Sequence, residues 1–162
     1  MTAATCPRCG GELVSRRIPA GQERSGPVTA AADPHTVRAC LAGCAAIDTD
    51  LEAALDGALT AGLPFANGTP HDQRCAACSA RLDLPMRATL RAVTVAPTGS
   101  PPFTVTFGLP FVRCGECGTD NVPPGVADDV RTSGRAACGL PPTRQRTTLL
   151  RRLLRRGGPG SL

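Results

Sequence analysis

The residues of this chain best suited to chemistry are its nine cysteines, eight of which fall into close pairs: Cys6/Cys9, Cys40/Cys44, Cys75/Cys78 and Cys114/Cys117. A thiolate is a soft anionic ligand, and zinc accepts four of them tetrahedrally with no geometric preference of its own. Two turns that each offer two sulfurs can therefore complete one site. The pairing expected from chain order is Cys6, Cys9, Cys40 and Cys44 in one set and Cys75, Cys78, Cys114 and Cys117 in the other. A cross-braced alternative joins 6/9 to 75/78, but consecutive pairing demands less long-range ordering.

The elements that must hold these sulfurs are legible in part. Between Cys78 and Cys114 the apolar residues Leu82, Leu84, Met86, Ala88, Leu90 and Ala92 alternate with Asp83, Arg87, Thr89 and Arg91, which reads as a strand with its even positions inward. Phe103, Val105, Phe107, Leu109 and Phe111 repeat the pattern, and the turn residues of 97–102 separate the two runs. In the first half, Leu13–Ile18 and His35–Ala39 read as a short hairpin, and the Pro/Gly/Ala-rich stretch 19–34 between them as a loop. Thr49-Asp50-Leu51-Glu52 fits a capping box, with Leu51, Leu55 and Leu59 on one helix face and Gly62-Leu-Pro64 as the stop. Residues 65–74 read as a linker. A second short helix can begin at Pro124, and 131–143 show no pattern. Each half thus repeats the order of thiol pair, hairpin, thiol pair and helical segment.

The Cys6-Pro-Arg-Cys9-Gly10 and Cys114-Gly-Glu-Cys117-Gly118 segments resemble the knuckles of zinc-ribbon proteins. The 30 residues between Cys9 and Cys40 and the 35 between Cys78 and Cys114 are compatible with that class. Cys40 and Cys44 depart from it, being separated by three residues where the knuckle has two. The resemblance covers about half of the chain. It implies a structural zinc in each four-thiol set, two ions per chain, and names no activity.

Composition agrees that such ions are needed. The 162 residues include no Trp, no Tyr and four Phe, so the core is thin for the length. Modules of this kind are held by disulfides or metal. An odd number of cysteines, CxxC spacing and no apolar export run after Met1 favour metal in a cytoplasmic protein. The formal charge of +5 is concentrated at the C-terminal end. There Arg144, Arg146, Arg151, Arg152, Arg155 and Arg156 flank Leu149, Leu150, Leu153 and Leu154, an amphipathic helical pattern. That segment could contact phosphates of a nucleic acid, an anionic membrane surface or a protein partner. No run is long and apolar enough to span a bilayer.

Rival chemistries leave fewer traces. A rubredoxin-like iron site shares the knuckle but is expected in an aromatic-rich core. Thiol redox catalysis wants a CxxC at a helix N-terminus, whereas these pairs adjoin strands and Gly turns. His35, near Cys40, is a spare ligand or a loop histidine; Cys138, left unpaired, is a passive loop cysteine, a reactive thiol or a spare ligand. Asp128 and Asp129 read as solvated neighbours. No nucleophile with its base and no phosphate-binding Gly loop is present.

The expectation is a small metal-stabilised α+β protein. It has a first zinc-ribbon-like unit with an acidic helix (1–64), a linker (65–74), a second zinc-ribbon unit (75–131) and a flexible basic tail with a short helix (132–162). Its expected role is a non-enzymatic zinc-binding structural or interaction module with an unidentified protein partner. The alternatives are a nucleic-acid-binding accessory factor using the Arg-rich tail, and an iron or thiol redox protein.

Overall fold

A computed structural model of the chain describes residues 5–42, 49–83 and 85–140. The fold is α+β, mostly strands with two helices. In chain order the strands are β1 (Leu13–Ile18), β2 (Gly21–Ser25), β3 (Val28–Ala32), β4 (His35–Cys40), β5 (Asn67–Thr69), β6 (Asp72–Arg74), β7 (Arg87–Val95), β8 (Phe103–Arg113) and β9 (Asp120–Asn121). Helix α1 is Thr49–Gly62; a 3-10 turn at Pro124–Val126 leads into α2, Ala127–Ala137.

The central sheet runs β2-β3-β8-β7, with β9 added to the far end of β8. β7 and β8 pair antiparallel from Arg87 opposite Phe111 to Val95 opposite Phe103, as the alternation between the second pair of thiol turns leads one to expect. β1 and β4 pair from Leu13 opposite Cys40 to Ile18 opposite His35, which brings Cys40 to the end of the ribbon that the first thiol turn leads into.

Three segments depart from the sequence reading. The loop expected over 19–34 contains the β2–β3 hairpin, turned at Gly26 (φ +51°), and β3 pairs with β8 to join the two halves in one sheet. Its signal is faint because the inward residues of β3, Val28, Ala30 and Ala32, are small. The stretch 65–74 is a two-stranded hairpin, tied to the second half by the Ala66 amide donating to the Val122 carbonyl at 2.9 Å. The patternless stretch from 131 is the second half of α2, so a boundary at 131 falls inside a helix.

The sheet face of β7 is also the reverse of the expected one. Val93 and Val95 are buried, while Ala88, Leu90 and Ala92 are exposed, Leu90 at 74%. Opposite residues in a ladder share a face. The register sets odd positions of β7 against the odd positions of β8, and Phe103, Val105, Phe107 and Leu109 are all buried. Four consecutive large side chains on β8 decide the matter over the alanines of β7.

The core lies between this face and the helices. Leu51, Leu55, Leu59 and Leu63 from α1 and Val130 and Ala137 from α2 close over Val28, Val93, Val105 and Phe107. α2 approaches closely because Gly134 carries no side chain: a Cβ there would sit 3.0 Å from the Phe107 ring. The helices are joined by Arg135, buried on α2, which donates to Glu52 of α1. Asp129 is no solvated neighbour of Asp128: the Ser25 hydroxyl donates to it at 2.7 Å, fixing the β2–β3 turn to the start of α2.

Candidate metal centre

The three described knuckles are built alike. In each, the amide of the first cysteine donates to the carbonyl five residues on: Cys6 to Gly11 at 2.7 Å, Cys75 to Ala80 at 2.8 Å, Cys114 to Thr119 at 2.8 Å. The residue after the second cysteine then returns its amide to the carbonyl of the first: Gly10 to Cys6, Ser79 to Cys75, Gly118 to Cys114. That residue is left-handed every time, with φ +71° at Gly10, +62° at Ser79 and +75° at Gly118. The sequence reading anticipated the glycines; Ser79 performs the same turn without one.

These turns bring the second set of sulfurs together. The Sγ atoms of Cys75, Cys78, Cys114 and Cys117 all lie within 4.8 Å of one another, with Cys75 3.6 Å from Cys117 and Cys78 3.6 Å from Cys114. A tetrahedral ion with metal–sulfur bonds of ~2.3 Å holds its sulfurs about 3.8 Å apart. The arrangement could therefore hold a metal ion with little movement. Cys75 and Cys114 are buried and Cys78 and Cys117 exposed, so the cluster sits at the surface with its inner half packed.

The first set is seen in part. Cys6, Cys9 and Cys40 form a second group that could hold a metal, with Cys9 and Cys40 3.4 Å apart. Cys44, the expected fourth ligand, lies outside the described residues. Within each group only consecutive pairs meet, and no cross-braced set forms among the described residues.

Electrostatics in the second cluster are those of a site made for a cation. Burial acts to raise the Cys75 thiol, but the amides of Cys78 and Ala77, the Asn121 side chain and the Cys117 thiol outweigh it and bring it down to about 6. Cys78 moves oppositely: the Ala80 amide favours its thiolate, yet burial and the three neighbouring sulfurs together push it up to about 12. Cys117 is lowered by the Thr119 hydroxyl and amide. Cys75 and Cys117 are thus shifted towards the thiolate, and Cys78 away from it by burial and by sharing hydrogen bonds with its neighbours. A divalent cation removes that conflict.

Two residues that the cysteine pattern gave no reason to single out shape the cluster. Asn121 is fully buried; its Oδ1 accepts from the Ala76 amide at 2.8 Å and its Nδ2 donates to the Thr119 carbonyl at 2.9 Å and towards Cys75 Sγ at 3.5 Å. It thereby ties one knuckle to the other. Asp120 accepts from Arg113 Nε at 2.8 Å and Arg91 Nη2 at 2.7 Å, and the Arg113 hydrogen bonds hold its carboxyl below the usual range. That network pins β9 to β7 and β8 beside the thiols. Neither residue carries a spacing signature, since each acts through tertiary contacts.

The remaining candidates fall outside the clusters. His35 is neither a ligand nor a loop histidine: it begins β4, is buried, stacks on Phe103 at 4.1 Å and faces the carbonyls of Asp33 and Cys138 at 2.8 and 3.0 Å. Cys138 is no loop thiol, since it caps α2 within the core, where burial pushes it up to about 12. Arg144, Arg146, Arg151, Arg152, Arg155 and Arg156, with the expected C-terminal helix, lie outside the described residues. Among the described residues, no helix is long and apolar enough to cross a membrane.

Compared with known protein families, with curated proteins and with solved structures, the chain matches none.

Proposed function

We propose that this is a non-enzymatic zinc protein of the cytosol, in which two ions clamp zinc-ribbon-like halves into a scaffold for protein interaction. The observation that carries the reading is the convergence of four cysteine sulfurs, from two turns of the same backbone form, within 4.8 Å of one another. Four thiolates close the coordination shell of zinc and leave no position for water or substrate, which is the signature of a structural rather than a catalytic ion. The small aliphatic core supports the same reading, because binding to such a site supplies on the order of 10 kcal/mol to folding. Cys44 is the proposed fourth ligand of the first ion.

The test is the metal content of protein purified natively, followed by chelation. Two zinc ions per chain are expected, with a large fall in melting temperature once they are removed. Stoichiometric iron, or a chain that melts at the same temperature after complete metal removal, would overturn the reading.

A further inference from the structure

The outer edge of the central sheet offers a surface that the metal clusters do not explain. Among the described residues, β7 is an edge strand nine residues long, paired only on its β8 side. Long edge strands in monomeric proteins are blunted by proline, bulges, or charges on either face, because their unpaired amides and carbonyls template further pairing. β7 has no proline. Its outer face presents Ala88, Leu90, Ala92 and Thr94, and its two charges, Arg87 and Arg91, stand on the other face. Two of the three large hydrophobic residues most exposed in the described chain, Leu90 at 74% and Met86 at 66%, lie on or beside this edge.

We propose that β7 pairs antiparallel with β7 of a second copy of this chain, about a two-fold axis through Leu90, so that the two central sheets become one. The symmetry restricts the choice. An axis perpendicular to the sheet keeps each residue on its own face, and opposite residues share a face, so the axis must pass through a residue rather than between two. An axis at Arg91 would set Arg91 against itself, and one at Thr89 would set Arg91 against Arg87. An axis at Leu90 opposes Leu90 with Leu90, Ala88 with Ala92, Thr89 with Arg91 and Arg87 with Val93. No like charges stand directly opposite, and all these residues lie within β7. Arg91 is drawn away from the seam towards Asp120, which holds it at 2.7 Å. The single leucine of the strand, 74% exposed, meets its copy at the centre, and the edge hydrogen-bonding groups on both sides are satisfied together.

The experiment uses the full, metal-loaded chain at tens of micromolar in sedimentation equilibrium, with two single substitutions for cross-linking. A dimer mass is expected for the native chain, and a monomer mass for Leu90→Arg at unchanged zinc content and circular dichroism. Leu90→Cys is expected to join to itself through a short thiol-to-thiol linker, because directly opposed Cβ atoms lie about 5 Å apart. Thr94→Cys is expected not to, because in this register it lies roughly 27 Å from its copy. A native chain that sediments as a monomer, a Leu90→Arg chain that remains dimeric, or cross-linking at position 94 without position 90 would each overturn the proposal.

Discussion

The side-chain amide of Asn121 lies 3.5 Å from the sulfur of Cys75, while its other end accepts the amide of Ala76 at 2.8 Å. One buried residue therefore orients the first knuckle of the second cluster and stabilises its most deeply packed thiolate. Hydrogen bonds to metal-bound groups typically tune affinity by 10- to 100-fold (about 1.4–2.7 kcal/mol). Asn121→Leu, alike in branching and number of heavy atoms, leaves the Ala76 amide and the Thr119 carbonyl unsatisfied. We expect zinc affinity at this cluster to fall by roughly that factor and stability by about 1–3 kcal/mol. Competition with a chromophoric chelator measures the first and thermal melting the second. An unchanged affinity would show that Asn121 only fills space.

The turn at Ser79 makes the opposite prediction. Its φ of +62° is the conformation that glycine supplies at the equivalent positions 10 and 118. A left-handed non-glycine residue is disfavoured by about 1–2 kcal/mol, partly offset by the extra freedom glycine has when unfolded. Ser79 is exposed, so its removal loses no packing. Ser79→Gly is expected to raise stability by about 0.5–1 kcal/mol, and Gly118→Ala to lower it by a similar amount. A fall in melting temperature for Ser79→Gly would refute the account of the knuckle.

How far the fold could be read from the chain follows from which residues carry it. The thiol spacing reports the second cluster directly, because CxxC turns are local structures that need only their own hydrogen bonds. The ribbon of β1 and β4 and the leucine face of α1 were legible because each segment carries its own residue pattern. What stayed hidden depends on contact between distant segments. β3 places alanines in the core and draws its partner from β8, so its alternation is muted. The buried stripe of α2 is Val130, Ser133, Gly134 and Ala137, small residues that read as patternless until Phe107 fills the space above them. The face of β7 was misread because its own alternation favours Ala88, Leu90 and Ala92, and only the register with β8 turns them outward.

Two helical glycines separate local propensity from packing. Gly57 lies on the exposed side of α1, and a Cβ there would meet nothing within 4 Å. Gly57→Ala is expected to stabilise by about 1 kcal/mol through helix propensity alone. A valine at 134 recovers less of that propensity, and its Cβ meets the fully buried Phe107 ring at 3.0 and 3.2 Å. Gly134→Val is expected to lose about 1–3 kcal/mol, as overpacked cores do. Denaturant melts of the two variants should move in opposite directions. Equal shifts would mean that α2 does not rest on β8 as closely as the geometry indicates.

Cys138 gives a prediction in pH. Burial pushes its thiol from 9.0 up to about 12, so the folded chain holds that proton more tightly than the unfolded one. A raised pKa contributes stability that is complete below the unfolded value and lost as pH climbs through the folded one. The window is pH 9 to 12. The chain has neither Lys nor Tyr to obscure it, and metal-bound thiols do not take up protons there. The native, metal-loaded chain is expected to lose melting temperature progressively above pH 9, and Cys138→Ala to begin less stable but decline less steeply. Native Cys138 should also resist alkylation at pH 8 until the chain is unfolded. Parallel pH slopes for the two chains, or ready labelling of Cys138 in the folded state, would place this thiol outside the core that β8 and α2 enclose.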